Sequence, residues 1–193
     1  MEVLERVRAG LLSHFGTDPA AVDAASVTFL GVEPIEILRI PDNDVVHYST
    51  VGGSRYPMGD PADINADPVR GPRAELILTV RAAAGIGSGV VRSLGVLTAA
   101  PAVEGVVLQP DALLDLGEPL WQGGPFTAAL LGPTEIPEIE LPEPAEPVRY
   151  FAVTPVTATE AAWVRVRGAS ALRAAWDEAG IDVLDPGRGA ASL

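Results

Sequence analysis

The clearest strand pattern in this chain is Arg73-Ala74-Glu75-Leu76-Ile77-Leu78-Thr79-Val80-Arg81. Apolar residues occupy most of its positions, and the run Leu76-Ile77-Leu78 offers apolar side chains to both faces of a strand. Such runs are typical of strands that are buried on both sides. The pattern therefore predicts a strand over Ala74–Arg81 in the centre of a sheet.

Further strands are indicated on both sides of this central one by β-branched and aromatic residues between turn residues. The turn Pro41-Asp42-Asn43-Asp44 predicts that two of the strands form a hairpin, and Gly52-Gly53-Ser54 predicts an irregular loop. The polar, proline-rich segment Tyr56–Pro72 is interpreted as a loop. The predicted strands are Val27–Val32, Ile35–Ile40, Val45–Val51, Phe126–Leu131 and Arg149–Thr154.

Helices are predicted where apolar residues recur at a spacing of three or four. The sequence Thr157-Ala158-Thr159-Glu160 forms a capping box, which marks the start of a helix. Gly168 separates this helix from the next one, and Gly180 ends the second. The predicted helices are Val3–Phe15, a short one around Ala20–Ala24, Ile86–Ala100, Ala158–Arg167 and Ala169–Ala179.

The segment Gly132–Pro147 differs from the rest because it alternates prolines with glutamates. A helix or a central strand does not tolerate this density of proline, so an extended loop is predicted. One interpretation is a solvated connector; the other is an electrostatic contact for a basic protein partner. The residues predicted to contact such a partner are Glu135, Glu138, Glu140, Glu143 and Glu146.

Composition narrows the functional classes. The chain of 193 residues fits one domain over residues 1–193, and its net charge of -13 disfavours binding to a phosphate backbone. There is no cysteine, and all 13 basic residues are arginine, so disulfides, thiolate chemistry and lysine chemistry are excluded. The N-terminus lacks the pattern of a signal peptide and no run is long enough to span a bilayer, so a cytoplasmic location without membrane contact is expected.

Candidate catalytic and ligand-binding residues are few. His14 and His47 are the two histidines, and they support at most a small hydrolase that would use Ser54 with a histidine base. The glycines of Gly85–Gly89 do not complete a nucleotide-binding pattern, and Asp63–Asp67 begins like a calcium loop that Pro68 then interrupts. No cofactor, metal site or catalytic set is therefore predicted.

Several segments in order along the chain resemble the Suppressor of fused domain family, as its bacterial members have it. The similar segments are Leu4–Val7 with His14–Gly16, Tyr48–Ser54 with Pro57-Met58, Arg73–Leu78, Phe126–Leu131, Phe151–Val156 with Glu160, and Gly168, Leu172 and Asp185–Arg188. The resemblance is weakest from Gly85 to Gly124.

The resemblance implies an α+β fold with a mixed, mainly antiparallel β-sheet flanked by helices, and neither a cofactor nor catalytic residues. It implies a non-enzymatic protein-binding module, in bacteria an immunity protein that neutralises a toxin, and the acidic charge favours a basic toxin domain as the partner. Two alternatives stay open: the small hydrolase, and a general interaction protein that binds an extended peptide at a sheet edge. The oligomeric state and the identity of the partner are left undetermined.

Overall fold

The protein is described here by a computed structural model that covers residues 3–59 and 67–192. One seven-stranded sheet runs through the molecule in the order β1-β2-β3-β4-β7-β6-β5. Its neighbouring strands are antiparallel except that β4 and β7 run parallel. The predicted mixed, mainly antiparallel α+β fold is confirmed, and the predicted central strand occupies the fourth of the seven positions.

The strands are β1 Asp23–Val27, β2 Ile35–Asp42, β3 Val45–Val51, β4 Arg73–Arg81, β5 Leu113–Asp115, β6 Phe126–Gly132 and β7 Val148–Thr157. The helices are α1 Val3–Phe15, α2 Val90–Glu104, α3 Ala158–Arg167 and α4 Ala169–Ala179, and short 3-10 turns cover Pro19–Ala21 and Gly53–Arg55. The predicted bounds of α1, β3, α3 and α4 agree with the structure, because periodicity and terminal residues fix them locally.

The helices cover both faces of the sheet. Alternate residues of a strand point to opposite faces, and accordingly Leu76 and Leu78 of β4 pack with α2, whereas Ile77 packs with α1. The α3–α4 pair covers β6 and β7 on the α1 side, around Leu172 and Trp176. Both faces of the centre of the sheet are thereby buried.

Two predicted elements are displaced. The strand predicted at Val27–Val32 lies at Asp23–Val27, because Gly31 at φ 81° turns the chain back into β2. The short helix predicted around Ala20–Ala24 is a 3-10 turn over Pro19–Ala21, and β1 takes the last two of its predicted residues. Helix α2 begins at Val90 and not at Ile86, since Gly89 has φ 111° and the Ser88 carbonyl accepts a hydrogen bond from the Gln122 amide. A helical Ser88 carbonyl would instead accept from an amide four residues later.

Part of the predicted loop Tyr56–Pro72 lies outside the described residues. Positions 63–66 of the calcium-like pattern also lie outside the described residues, whereas its last residue, Asp67, is described. Of the helices in the described part of the chain, none combines the length and the apolar character needed to cross a membrane.

Candidate functional site

Two of the sequence patterns, Gly52-Gly53-Ser54 and Arg73-Ala74-Glu75-Leu76, meet at one end of the sheet around the carboxylate of Glu75. This side chain is fully buried. Its oxygens accept hydrogen bonds from the backbone amides of Gly52, Gly53 and Ser54 at 2.8, 3.2 and 3.0 Å. The hydroxyls of Thr50 and Ser54 each donate to it at 2.6 Å. Five donors thus replace the water that a charged carboxylate loses on burial.

Glycine is required at two positions of this turn. Gly52 has φ 155°, and a Cβ there would lie 2.9 Å from the Cα of Ile35. A Cβ on Gly53 would lie 2.5 Å from the Thr98 side chain and 3.0 Å from the Ala74 carbonyl oxygen. The two glycines therefore let the turn pass close to β2 on one side and to α2 on the other.

Arg73 holds the same region from the other side. This buried side chain donates through Nη1 to the carbonyls of Ser54 and Arg55, both at 2.8 Å, and through Nη2 to the carbonyl of Val69 at 3.0 Å. Burial lowers the pKa of Arg73, and the negative charge of Glu146 acts in the opposite direction. An arginine remains charged through such a shift, so three carbonyl dipoles share one buried cation.

A cavity of about 550 Å³ opens beside this turn, within the range of small-ligand and side-chain pockets. Its floor is apolar and comes from β2, α2 and the segment after the turn. Its lining includes Ile35, Met58, Thr98 and Pro101 on the floor and Gly52, Gly53, Arg55 and Arg70 at the sides. At its mouth Glu33 pairs with Arg55 at 2.9 Å and accepts a hydrogen bond from the Tyr56 hydroxyl at 2.7 Å.

Exposed apolar side chains belong to, or directly adjoin, the residues that line this cavity. Leu30, Tyr56, Val69 and Val103 belong to the few large apolar side chains that are exposed in the described part of the chain, and Leu30 is fully so. Tyr56 lines the cavity, and the other three adjoin lining residues along the chain. We call these four residues the apolar rim. A group of exposed apolar side chains around a concave surface is typical of a binding site.

The acidic segment, residues 132–147, is anchored to the molecule. Ile136 and Leu141 are buried against α1, and Ile139 forms backbone hydrogen bonds with Val148 in both directions at 2.9 and 3.0 Å. The predicted contact residues are all exposed: Glu135, Glu138, Glu140, Glu143 and Glu146. Glu138 pairs with Arg149 at 2.7 Å. We call these five glutamates the acidic ridge; their contact with a partner stays a prediction.

The acidic ridge and the cavity lie at the same end of the sheet. Val148, which directly follows the acidic segment, is in register with Arg73 at the start of β4. Glu146 is close enough to act electrostatically on the Arg73 guanidinium. The cavity lies on the α2 face of this end, and the acidic segment packs on the α1 face, so the two features flank the same end of the sheet.

The hydrolase prediction is wrong in its geometry. The Ser54 hydroxyl is fully buried and donates to Glu75, whereas the His47 ring bonds the Thr79 hydroxyl at 2.8 Å. Glu75 and Thr79 are four residues apart on β4, which corresponds to about 13 Å along a strand. His14 is exposed and contacts Phe15, whose ring also contacts His47. Both histidines thus lie away from Ser54.

A metal centre was not predicted either. Within residues 3–59 and 67–192 there is no group of three or more His, Asp or Glu side chains that could hold a metal ion.

The roles of Arg73 and Glu75 and the apolar rim were not found from the sequence. One signal was available: two charged residues stand directly before the apolar run Leu76-Ile77-Leu78, and a charge in a buried strand needs partners. The rim offered no comparable signal, because its residues belong to separate loops and to α2 and are adjacent only in the folded chain.

The fold and the site define a class of α+β proteins with one mixed sheet, a buried carboxylate that holds a glycine turn, and an apolar cavity beside that turn. The Suppressor of fused protein (SUFU) family model matches residues 31–189. Since this is most of the chain, the protein belongs to the Suppressor of fused family, and the resemblance stated from the sequence is confirmed.

Two solved structures share the fold. A Suppressor of fused homologue from Neisseria gonorrhoeae FA 1090 superimposes with a TM-score of 0.64 at 19% identity, covering 98% of this chain and 96% of that chain. The crystal structure of the Sufu–Fu complex gives a TM-score of 0.62 at 14% identity, covering 98% of this chain and 91% of that chain. No curated protein sequence matches this chain.

Proposed function

We propose that this protein is a non-enzymatic protein-binding module that acts in the bacterial cytoplasm as an immunity protein and neutralises a toxin. The observation that carries the binding function is the cavity of about 550 Å³ with its apolar rim. Covering exposed apolar side chains with a partner removes apolar surface from water, which favours binding. A protein of the same fold is known in complex with another protein, as the Sufu–Fu structure records.

Charge supports a basic partner. The net charge of the chain is -13, and the acidic ridge presents carboxylates at the same end of the sheet as the cavity. A toxin that acts on nucleic acid would need a basic surface to bind phosphate. A partner of that kind is attracted by the field of this protein before contact is made.

The two surfaces should contribute differently to binding. Exposed charges mainly accelerate association and make it depend on salt, whereas apolar side chains buried in the complex mainly slow its dissociation. A partner held by this end of the sheet would thus be guided by the acidic ridge and retained by the cavity.

The test is to measure binding between this protein and toxins encoded beside its gene, by surface plasmon resonance and by toxin activity. Leu30→Ser with Val103→Ser should raise the dissociation rate by about tenfold or more, as expected for loss of central apolar contacts. Val166→Ser, which removes an exposed apolar side chain from α3, is the matched control and should have no effect.

The acidic ridge is tested in the same assay. Replacing Glu135, Glu140 and Glu143 by glutamine should lower the association rate and its salt dependence. Three exposed acidic residues away from the cavity give a charge-matched control: Asp18→Asn, Asp177→Asn and Glu178→Gln. Equal effects of the two triple variants would show that only net charge matters and would remove the ridge from the proposal.

Two results would overturn the immunity role. The first is that no protein encoded beside the gene forms a complex, which leaves binding of other partners open. The second is a complex in which the toxin keeps its full activity.

A second candidate function is binding of an extended peptide at a sheet edge, and β1 favours it. This strand lies at the edge of the sheet and has four exposed residues among its five. Edge strands offer unpaired backbone groups to an added strand, and a lysine on the edge opposes that addition. Ala25→Lys should therefore abolish binding of this kind and leave binding through the apolar rim unchanged.

A further inference from the structure

Two sides of the cavity are held by one pair of buried charged residues, Arg73 and Glu75. These residues are separated by two positions in β4, so their side chains point to the same face of the sheet. We infer that Arg73 and Glu75 are positioning residues: they fix the shape of the cavity, and thereby the surface that a protein partner meets. The last step of this inference, from shape to partner, rests on the proposed function.

Glu75 fixes the side of the cavity formed by the glycine turn. Its carboxylate accepts hydrogen bonds from three successive backbone amides, those of Gly52, Gly53 and Ser54. Two of these residues, Gly52 and Gly53, line the cavity. A change at Glu75 therefore acts on the wall of the cavity although the carboxylate itself is not part of the lining.

Arg73 fixes the two chain segments that flank the cavity mouth. Its guanidinium binds the carbonyls of Ser54 and Arg55 on one side and that of Val69 on the other. The Met58 amide adds a hydrogen bond of 2.7 Å to the Pro72 carbonyl. The Arg73 side chain thus connects the segment that follows β3 with the segment that precedes β4.

A contribution to stability alone is a poor explanation for this pair. A buried charge must be compensated by several hydrogen bonds, and well-packed apolar side chains stabilise a core at least as well. All five donors to Glu75 come from Thr50 and from the glycine turn that Glu75 holds. Within the described residues, no arginine lies at ion-pair distance from Glu75. The arrangement holds the turn in one position.

Glu160 is the matched control for Glu75. It is also a fully buried carboxylate with several donors, but these come from α4, the chain end and the start of α3. Glu160 does not hold any residue that lines the cavity. Glu160→Gln should therefore destabilise the protein without changing the cavity.

The first measurement is amide hydrogen exchange in Glu75→Gln. Loss of a charge-assisted hydrogen bond, worth about 1.5–3 kcal/mol, corresponds to about a 10- to 160-fold faster exchange at Gly52, Gly53 and Ser54. Glu160→Gln should leave these three amides as in the wild type and accelerate exchange at Thr157 and Ala191, whose amides bond Glu160.

The second measurement is the distance across the cavity mouth. Because the chain has no cysteine, Val69→Cys and Val103→Cys can carry two spin labels, and double electron–electron resonance then gives their distance distribution. Both positions are exposed. Arg73→Lys removes the planar donor fork and should broaden this distribution, whereas Glu160→Gln should leave it narrow.

The outcomes separate positioning from stability. If Glu75→Gln and Arg73→Lys lower the melting temperature but leave both local readouts as in the wild type, the residues are only structural and the inference is wrong. If either variant does not fold, Ser54→Ala removes a single hydroxyl donor to Oε1 of Glu75 and should still accelerate exchange at Gly52, whose amide bonds the same oxygen.

The partner is tested separately. Where a toxin encoded beside the gene binds the wild type, Glu75→Gln and Arg73→Lys should weaken binding by about tenfold or more, which corresponds to 1.4 kcal/mol, and Glu160→Gln should not. If amide exchange and the spin-label distances change but the affinity for the toxin does not, the shape of the cavity does not determine partner binding, and that part of the inference is wrong. Altered local readouts with no binding partner at all would refute the proposed function and leave the positioning intact.

Discussion

His47 shows at the scale of one residue how burial changes a titration. Its Nδ1 lies 2.8 Å from the Thr79 hydroxyl, its ring stands 4.5 Å from that of Phe15, and Asp42 is 3.6 Å from Nε2. Burial lowers the pKa of His47, although the neighbouring Asp42 carboxylate opposes this shift. The imidazole of the folded protein is therefore held in its neutral form.

This lowered pKa predicts a loss of stability in mild acid. The unfolded chain binds a proton at a pKa of about 6.5, more readily than the folded protein does. The contribution of neutral His47 is thus fully present above that pKa and is lost as the pH falls toward the lowered pKa of the folded protein. Urea unfolding between pH 7.5 and pH 5 should show this decrease in the wild type and a smaller one in His47→Gln.

The control for this experiment is His14→Gln, which changes the exposed histidine of α1. It should keep most of the decrease seen in the wild type, because burial, the largest cause of the lowered pKa of His47, is unchanged, whereas the charge of His14 contributes less to that shift. A decrease of equal size in His47→Gln would mean that other groups cause the acid sensitivity.

At the scale of elements, the acidic segment differs from the solvated connector that its composition also allowed. Its prolines keep it out of helices and central strands, as predicted. Its isoleucines and Leu141, however, contribute to the apolar cluster that α1 forms on this face of the sheet. The five glutamates of the acidic ridge are held on the surface by this anchoring, so the ridge has a defined shape.

The anchoring predicts a cost for truncation of Leu141. Leu141→Ala should lower the free energy of unfolding by about 2–4 kcal/mol, because buried leucine loses transfer free energy and leaves a cavity. The neighbouring exposed residue provides the control, and Glu140→Ala should stay within about 0.5 kcal/mol of the wild type. Chemical denaturation measures both values. A negligible cost for Leu141→Ala would support the solvated connector instead.

At the scale of the whole molecule, the chain end closes the second half of the sheet. Arg188 donates to both oxygens of Glu160 at 2.7 and 3.1 Å and to the Pro155 carbonyl at 2.8 Å. Its guanidinium lies 5.0 Å from the ring centre of Phe126 and 5.1 Å from that of Trp176. One residue near the C-terminus thereby joins β6, β7, α3 and α4.

The carboxylate of this pair stays ionised despite its burial. Desolvation by itself would raise the pKa of Glu160, but hydrogen bonds from Arg188, Trp176 and the amides of Thr157 and Ala191 outweigh it and lower the pKa. The stability from this group is therefore present above the unfolded pKa of about 4.3 and is lost as the pH falls through the lower folded value.

Arg188→Met should lower the free energy of unfolding by about 3–5 kcal/mol, because it leaves Glu160 buried without a cation. Adding Glu160→Gln to this variant removes the uncompensated charge and should recover part of the loss. Thermal or urea unfolding of the two single variants and the double variant measures the coupling. If the losses simply add, the pair is not coupled and the chain end contributes by packing alone.

Much of the fold could be predicted from local signals. The capping box of Thr157 and Glu160 forms as the sequence indicated, with Thr157 accepting from the Glu160 amide and Glu160 from the Thr157 amide. The apolar run of β4 placed that strand in the centre of the sheet. The predictions that missed, β1 and the start of α2, lie where glycines with positive φ and contacts to distant residues set the boundary.

Local signals were enough to predict the helix bounds at both ends of the chain, the central strand, the acidic charge and the family, because periodicity, caps, charge and ordered motifs are properties of neighbouring residues. The fold alone supplied the partners of the charged residues in Arg73–Arg81. It also placed Ser54 on Glu75 and away from both histidines, and it assembled the apolar rim from four separate segments. The physical reason is that a buried carboxylate takes whichever donors the fold brings within about 3 Å. For Glu75 these donors lie more than twenty positions earlier in the chain.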